Sequence, residues 1–221
     1  MEAIVNVEAV SRRFPLDDTP KHHPVGNCVS ALSNASLRVA TGEFLAISGP
    51  SGSGKTTLLN LIGCIDQPTS GRILVDGVDT STLTPGGMAT LRRERIGFVF
   101  QTFNLIPVFT AAENVEYPLL IQGVSSSERR RRVAEALESV GLTASAHHRP
   151  ALVLADEPTA NLDTHNATQL IDLMHGLNRR LGLTFIFSTH DARLLEHTER
   201  IVRLTDGEVV SDSSTQGGSR G

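Results

Sequence analysis

An α/β fold with a largely parallel sheet is what this sequence predicts, and three observations carry the prediction. Short apolar runs alternate along the chain with stretches of helical periodicity, the pattern of strands joined by crossover helices. One such run, Phe44-Leu45-Ala46-Ile47, leads through Gly49-Pro50-Ser51-Gly52-Ser53-Gly54-Lys55-Thr56 into a helical stretch, Thr57 to Ile62. Another, Leu152-Val153-Leu154-Ala155, ends in two adjacent acids, Asp156 and Glu157.

The elements follow in order. Ile4 to Val10 reads as a strand and Pro15 to Gly26 as a polar, Pro-containing loop. Ser36 to Val39 and Glu43 to Ser48 read as strands joined by a turn at Thr41-Gly42. Ile73 to Val78 is a hairpin signal centred on Asp76-Gly77, since Asp-Gly suits the two-residue turn with positive φ at both positions. Gly97 to Phe100 is a buried strand, and a helical region runs from Ala111 to Val140. Within it, Ser125 and Glu128 have capping-box spacing and open a helix from Arg129 to Val140. Strands return at Ala151 to Ala155, Thr184 to Ser188 and Ile201 to Leu204, with an amphipathic helix from about Thr164 to Leu181. Ser211 to Gly221 is Ser/Gly-rich and reads as disordered, with a tail proper over 213–221.

Bulk properties narrow the functional classes. The chain has 221 residues, room for one large or two small domains. A net charge of −4 gives no general attraction to nucleic acid or anionic membranes. Arg129 to Arg132 is a basic run, but Glu128 and Glu135 flank it and no aromatics interleave, so it reads as a solvated helix face. Cys28 and Cys64 lack metal-site spacing and read as reduced thiols of a cytosolic protein. His22-His23 and His147-His148 read as loop residues. No apolar run reaches the length of a membrane span and no signal peptide is evident, so a membrane role is expected to come through a partner.

The chemistry lies in the loop motifs. Gly49 to Thr56 fits G-x-x-x-x-G-K-[ST], in which glycines let backbone amides wrap phosphate oxygens at the positive end of a helix. Lys55 then reaches the β- and γ-phosphates, and the Thr56 hydroxyl ligates Mg²⁺. A Gly/Ser linker would give similar letters without the flanking strand and helix. A carboxylate at a strand's C-terminal edge beside such a loop suits Mg²⁺ held through its water shell, which is the role of Asp156; Glu157 is placed to act as general base on water. Gln101 and the group Ser188-Thr189-His190-Asp191 close two more core strands, so all these residues share one rim of the sheet, where open α/β sheets bind ligands.

On these motifs the chain resembles the ATP-binding subunits of ABC transporters. Residues 99–107, then Glu113-Asn114-Val115, and Leu154 to Asp163 look like the branch containing lipoprotein-releasing and macrolide-export ATPases. The resemblance covers about residues 4 to 210. It implies a P-loop NTPase (RecA-like) core with an N-terminal antiparallel β subdomain and a truncated helical subdomain. The divisions are 1–101, 102–150 and 151–212. It implies that Phe14, Gly49, Pro50, Ser51, Gly52, Ser53, Gly54, Lys55, Thr56, Thr57 and Asp163 contact ATP, with Phe14 stacked on adenine and Asp163 in the D-loop with Asn161. Thr56, Gln101 and Asp156 would hold Mg²⁺, and Glu157, His190 and Gln101 would serve hydrolysis. The implied partners are an integral membrane permease, placing the chain at the inner face of the cell membrane, and a second ATP-binding subunit paired head to tail as a homodimer or heterodimer.

One implied part is absent from the sequence. Members carry a Leu-Ser-Gly-Gly-Gln signature between Gln101 and Asp156, and none occurs here; 55 positions separate the two residues. The expected place reads His147-His148-Arg149-Pro150, about 20 residues short, equivalent to about 30 Å of helix. A degenerate paralogue, an engineered deletion and a faulty gene model all fit. The expected consequence is a nucleotide pocket with poor or no hydrolysis as a homodimer. A hydrolysis-deficient ATP-binding member with a regulatory or structural role is the alternative. A P-loop nucleotide kinase is a more distant one, against which the set of Glu157, Asn161 to Asp163 and His190 argues.

Overall fold

The computed structural model describes residues 3–15, 28–99, 111–137, 150–196 and 198–214. The chain divides into two units, residues 1–101 with 150–221, and residues 102–149. The loop expected over 16–26, Gln101 and the apolar residues after it, the region around Arg149, both His pairs and residues 215–221 lie outside the described residues.

The larger unit is built on two sheets. Strands β1 (Ala3–Pro15), β2 (Cys28–Ala40), β4 (Ser70–Val75) and β5 (Val78–Asp79) form an antiparallel sheet in the order β2-β1-β4-β5. The β4–β5 turn has positive φ at both Asp76 and Gly77, as the Asp-Gly signal predicts. The second sheet contains β3 (Phe44–Ser48), β6 (Ile96–Val99), β7 (Leu152–Asp156), β8 (Thr184–Ser188), β9 (Arg200–Thr205) and β10 (Glu208–Ser214), ordered β10-β9-β3-β8-β7-β6. Every pairing in it is parallel except the β9–β10 hairpin.

Burial explains why β3 is apolar from Phe44 to Ile47, because parallel strands are covered on both faces. Leu45 and Ile47 enter one core with β1, β2, β4 and helix α1 (Lys55–Ile62). Phe44 and Ala46 enter the other with Phe185, Phe187 and helix α5 (Thr164–Leu181). Helix α1 buries Leu58, Leu59, Leu61 and Ile62. Truncating Leu58, fully buried, to Ala would cost about 2–5 kcal/mol. Helix α5 starts on Asp163 as N-cap and stops at Gly182 in the left-handed region, and buries Ala167, Ile171 and Met174.

Some expected bounds need correction, and one helix was not expected. Strand β1 runs to Pro15 because its register shifts at several points, and such bulges break the alternation by which a strand is read. Helix α2 (Pro85–Arg95) has no apolar stripe and contains Gly86-Gly87; it is fixed by the Thr84 hydroxyl accepting from the Gly87 amide, Pro85 in the first turn, and buried Leu91. Residues 211–214, read as disordered, extend β10 against β9 as far as Ser214 opposite Arg200. The ladder and an Arg200–Asp212 ion pair at 2.6 Å hold this strand, so its Ser-rich composition carries no signal of it.

Described by itself, the smaller unit has two helices, α3 (Ala111–Ile121) and α4 (Ser126–Leu137). Helix α4 begins at Ser126 rather than Arg129, and the Arg129 amide donates to the Ser125 carbonyl at 2.8 Å. Arg129 joins the helices through Glu116 at 2.8 Å, while Arg131 and Arg132 bind Glu128. Three of the four arginines in the basic run are therefore paired with carboxylates.

Candidate functional site: a phosphate cradle at the rim of the parallel sheet

The loop between β3 and α1 is shaped by close backbone approach. A Cβ on Gly49 would lie 2.1 Å from the Leu204 carbonyl oxygen, and one on Gly54 would lie 2.4 Å from that of Ala31. Gly54 also has φ 101, which side-chain-bearing residues rarely adopt. The β9–β10 turn straps the loop from outside, with the Gly207 amide donating to the Ser53 carbonyl at 3.1 Å and the Ser33 amide to the Gly207 carbonyl at 2.9 Å.

Helix α1 then opens with Gly54 as N-cap, no side-chain cap and no acid in its first turn. Its leading N–H groups are thus left at the positive end of the helix, the arrangement that receives anions. Lys55 is largely buried, and its Nζ donates to the Gly49 and Pro50 carbonyls at 2.9 and 3.0 Å. The Ser53 hydroxyl beneath the loop is buried with no partner among the described residues.

The opposite wall comes from the ends of β7 and β8. The buried Ser188 hydroxyl donates to Asp156 Oδ1 at 2.5 Å and accepts from the Glu157 amide at 3.0 Å. Glu157 has φ 46, a strained conformation for a non-glycine residue; its amide is held by both the Ser188 hydroxyl and, at 3.2 Å, the Ser188 carbonyl. Glu157 Oε2 lies 2.9 Å from His190 Nδ1, with His190 largely exposed and Glu157 largely covered. Parallel register puts Asp156 opposite Ser188, which is why acids after β7 and a histidine after β8 converge.

These pieces enclose a cleft of about 610 Å³, a usual size for a ligand site. Its lining includes Gly49, Pro50, Ser51, Gly52 and Gly54 from the loop; Lys55, Thr56 and Thr57 from α1; and Glu157, His190 and Ala31. Of the residues expected from the sequence, Ser53 lies beneath the loop and Asp156 stands one residue before Glu157, neither in the lining. Phe14 and Asp163 are also outside the lining. Phe14 pairs with Val29 on the ladder that brings Ala31 to the cleft. Asp163 caps α5, accepting from the Asn166 amide at 2.9 Å and its side chain at 2.8 Å, and these bonds hold its carboxyl below the usual range. Gln101 lies outside the described residues. Sequence reading gave Ser188 no role of its own: its partners are 31 and 32 positions away, so only strand register reveals the link.

Fold and cleft together define a P-loop nucleotide-binding protein with an antiparallel β subdomain. Comparison with known proteins narrows the class. Residues 32–151 match the family model described as ABC transporter. The lipoprotein-releasing system ATP-binding protein LolD of Anaeromyxobacter dehalogenans is 44% identical over 220 residues, covering 89% of this chain and 92% of that protein. The macrolide export ATP-binding/permease protein MacB of Hyphomonas neptunium is 39% identical over 223 residues, covering 91% of this chain, which spans only 34% of that relative. Among solved structures, the dimeric post-hydrolysis state of the ATP-binding cassette MJ0796, bound to ADP and Pi, matches with TM-score 0.82 and 35% identity over 96% of this chain and 99% of that one. The chain belongs to the ABC transporter family, as one of its ATP-binding cassettes. The LolD alignment covers about 197 residues of this chain yet runs to 220 positions, so about 20 of those positions have no residue here.

Proposed function

We propose that this chain binds Mg-ATP in the cleft and serves as the ATP-binding subunit of an export or release transporter. It would sit at the inner membrane face on a permease partner, paired head to tail with a second cassette. The observation that carries this is the uncapped start of α1, which faces a cleft also lined by Lys55, Glu157 and His190. Loop and helix amides would take the phosphate oxygens, and Lys55 would exchange its carbonyl contacts for the β- and γ-phosphates. Thr56 and Asp156 suit Mg²⁺, which needs only one or two protein oxygens beside phosphate and water; when bound, it neutralises charge on the phosphate oxygens. Glu157 would accept the proton of the attacking water while His190 Nδ1 steadies its carboxylate. Among the described residues no helix is long and apolar enough to cross a membrane.

The absent signature favours a second reading, slow turnover in a homodimer. The signature would supply preorganised donors to the γ-phosphate of the facing subunit. Loss of one such donor lowers rate by about 10²–10³-fold. The unmatched positions in the alignment with LolD agree with a segment lost from this chain. Phosphate release measured with and without the permease tests both readings. Saturable Mg-ATP binding with turnover at least about 100-fold below intact relatives is expected. Normal turnover would refute the slow-homodimer reading, and absent binding would refute the whole proposal.

A further inference from the structure

Phe14 does not stand alone at the edge of the antiparallel sheet. The Arg12 guanidinium lies over its ring, 4.5 Å from the centroid. The two residues are two apart on β1 and so share a face, and the register shift between Arg12 and Arg13 re-aims them locally. Arg12 Nε is itself held by Asp66 Oδ2 at 2.8 Å. Asp66 lies just beyond the C-terminal end of α1, where its amide and that of Ile65 donate to the Asn60 carbonyl at 3.3 and 2.9 Å. Phe14 keeps 38% of its surface exposed, an unusual amount for a phenylalanine. Its ladder partner Val29 is two residues from Ala31 in the cleft lining.

We propose that Arg12 is a positioning residue for nucleotide-base recognition: tethered by Asp66, it covers one face of Phe14 and fixes the ring so that the other face receives an adenine. The proposal rests on the Mg-ATP reading above. The tether joins the ring's support to the helix whose opposite end receives phosphates, so base and phosphate subsites keep a set separation. A cation under one face also draws electron density from the ring, which favours stacking of an electron-rich purine on the other. Arg12 would touch neither base nor phosphate and act only through Phe14.

The test compares two probes on the full chain at 0.15 M salt with Mg²⁺: ATP, and inorganic tripolyphosphate, which has no base. Titration calorimetry gives the ratio of their affinities. Arg12→Gln is expected to weaken ATP about two- to fivefold and leave tripolyphosphate unchanged. Asp66→Asn, which keeps the shape but loosens the tether, is expected to lower the ratio in the same direction. Phe14→Ala is expected to weaken ATP at least about fivefold, again without effect on tripolyphosphate. Equal losses for both probes in Arg12→Gln, or no loss in either, would overturn the role of Arg12. If Phe14→Ala leaves the ratio at its parent value, the stacking reading fails and this inference with it. A lowered ratio in Phe14→Ala beside an unchanged one in both Arg12→Gln and Asp66→Asn would overturn the inference alone.

Discussion

Replacing Ser188 by Ala should damage the acid-bearing wall of the cleft out of proportion to the one oxygen removed. The side chain is fully buried, so the change leaves no room for water to substitute freely. Two hydrogen bonds disappear: the one to Asp156 Oδ1 at 2.5 Å and the one from the Glu157 amide at 3.0 Å. The second loss is partly offset, because the Ser188 carbonyl still accepts from that amide at 3.2 Å. The first is a bond to a charged group, worth about 1.5–3 kcal/mol. A destabilisation of about 2 kcal/mol follows, which for a chain of this size lowers Tm by about 4–8 °C. Scanning calorimetry of the ligand-free protein measures it. A double-mutant cycle with Asp156→Asn isolates the pair. Against a neutral acceptor the hydroxyl should be worth only about 1 kcal/mol, leaving a coupling near 1 kcal/mol. A Tm within about 1 °C of the parent, or a cycle with no coupling, would refute the assignment of Ser188 as the support of Asp156.

Other outcomes follow from the same contacts. Gly54→Ala, with its Cβ driven to 2.4 Å from the Ala31 carbonyl oxygen, should lower Mg-ATP affinity at least about tenfold. Gly52→Ala, whose Cβ meets nothing, should show only the roughly 1–2 kcal/mol strain of its left-handed backbone; equal effects on Tm and affinity would contradict the close-approach argument. Hydrogen bonds from Arg131 and then Arg132 hold the Glu128 carboxyl down at about 2, from an ordinary 4.5. A lowered folded-state pKa means its support of α4 is complete above about 4.5 and lost as pH falls through about 2; an NMR carboxyl titration centred near 4.5 would contradict this. Burial pushes the Cys64 thiol up to about 11, whereas Cys28 is exposed. At pH 8 a thiol reagent should therefore label one cysteine quickly and the second only in denaturant; rapid labelling of both in the native protein would count against the packing around Cys64.

Much of the fold was legible because the core strands are short, apolar and bounded by punctuating residues. Phe44 to Ser48, Leu152 to Asp156 and Thr184 to Ser188 are buried on both faces, so their composition marks them without any need for alternation. The helix from Thr164 to Leu181 announced itself by its apolar stripe; its Asp163 start and Gly182 stop are seen in the structure. What escaped depends on contacts distant in sequence. Glu208–Ser214 is a strand because Arg200 and β9 hold it; Pro85–Arg95 differs, since its Thr84 cap and Pro85 start are local and only the burial of Leu91 is set by packing. The cleft followed the same rule. Gly49 to Thr56 could be read from local letters, since a loop of that composition before a helix has few other structures. The Gly207 strap on Ser53, the Ser188 brace on Asp156 and the Asp66 tether on Arg12 had no local signal, because each pairs residues brought together by register or packing. Asp163, expected to contact ATP, accepts the bonds that cap α5 and stands outside the cleft lining of the single chain.

The central claim is that the loop amides, Lys55 and Thr56 together grip a triphosphate. Titration calorimetry of folded protein with Mg-ATP, repeated on Lys55→Ala, tests it most directly. Saturable one-site binding that weakens at least about tenfold in the variant is the predicted result, since hydrogen bonds to charged groups are worth about 1.5–3 kcal/mol. No heat of binding in well-folded protein, or an affinity indifferent to loss of that ammonium, would contradict it.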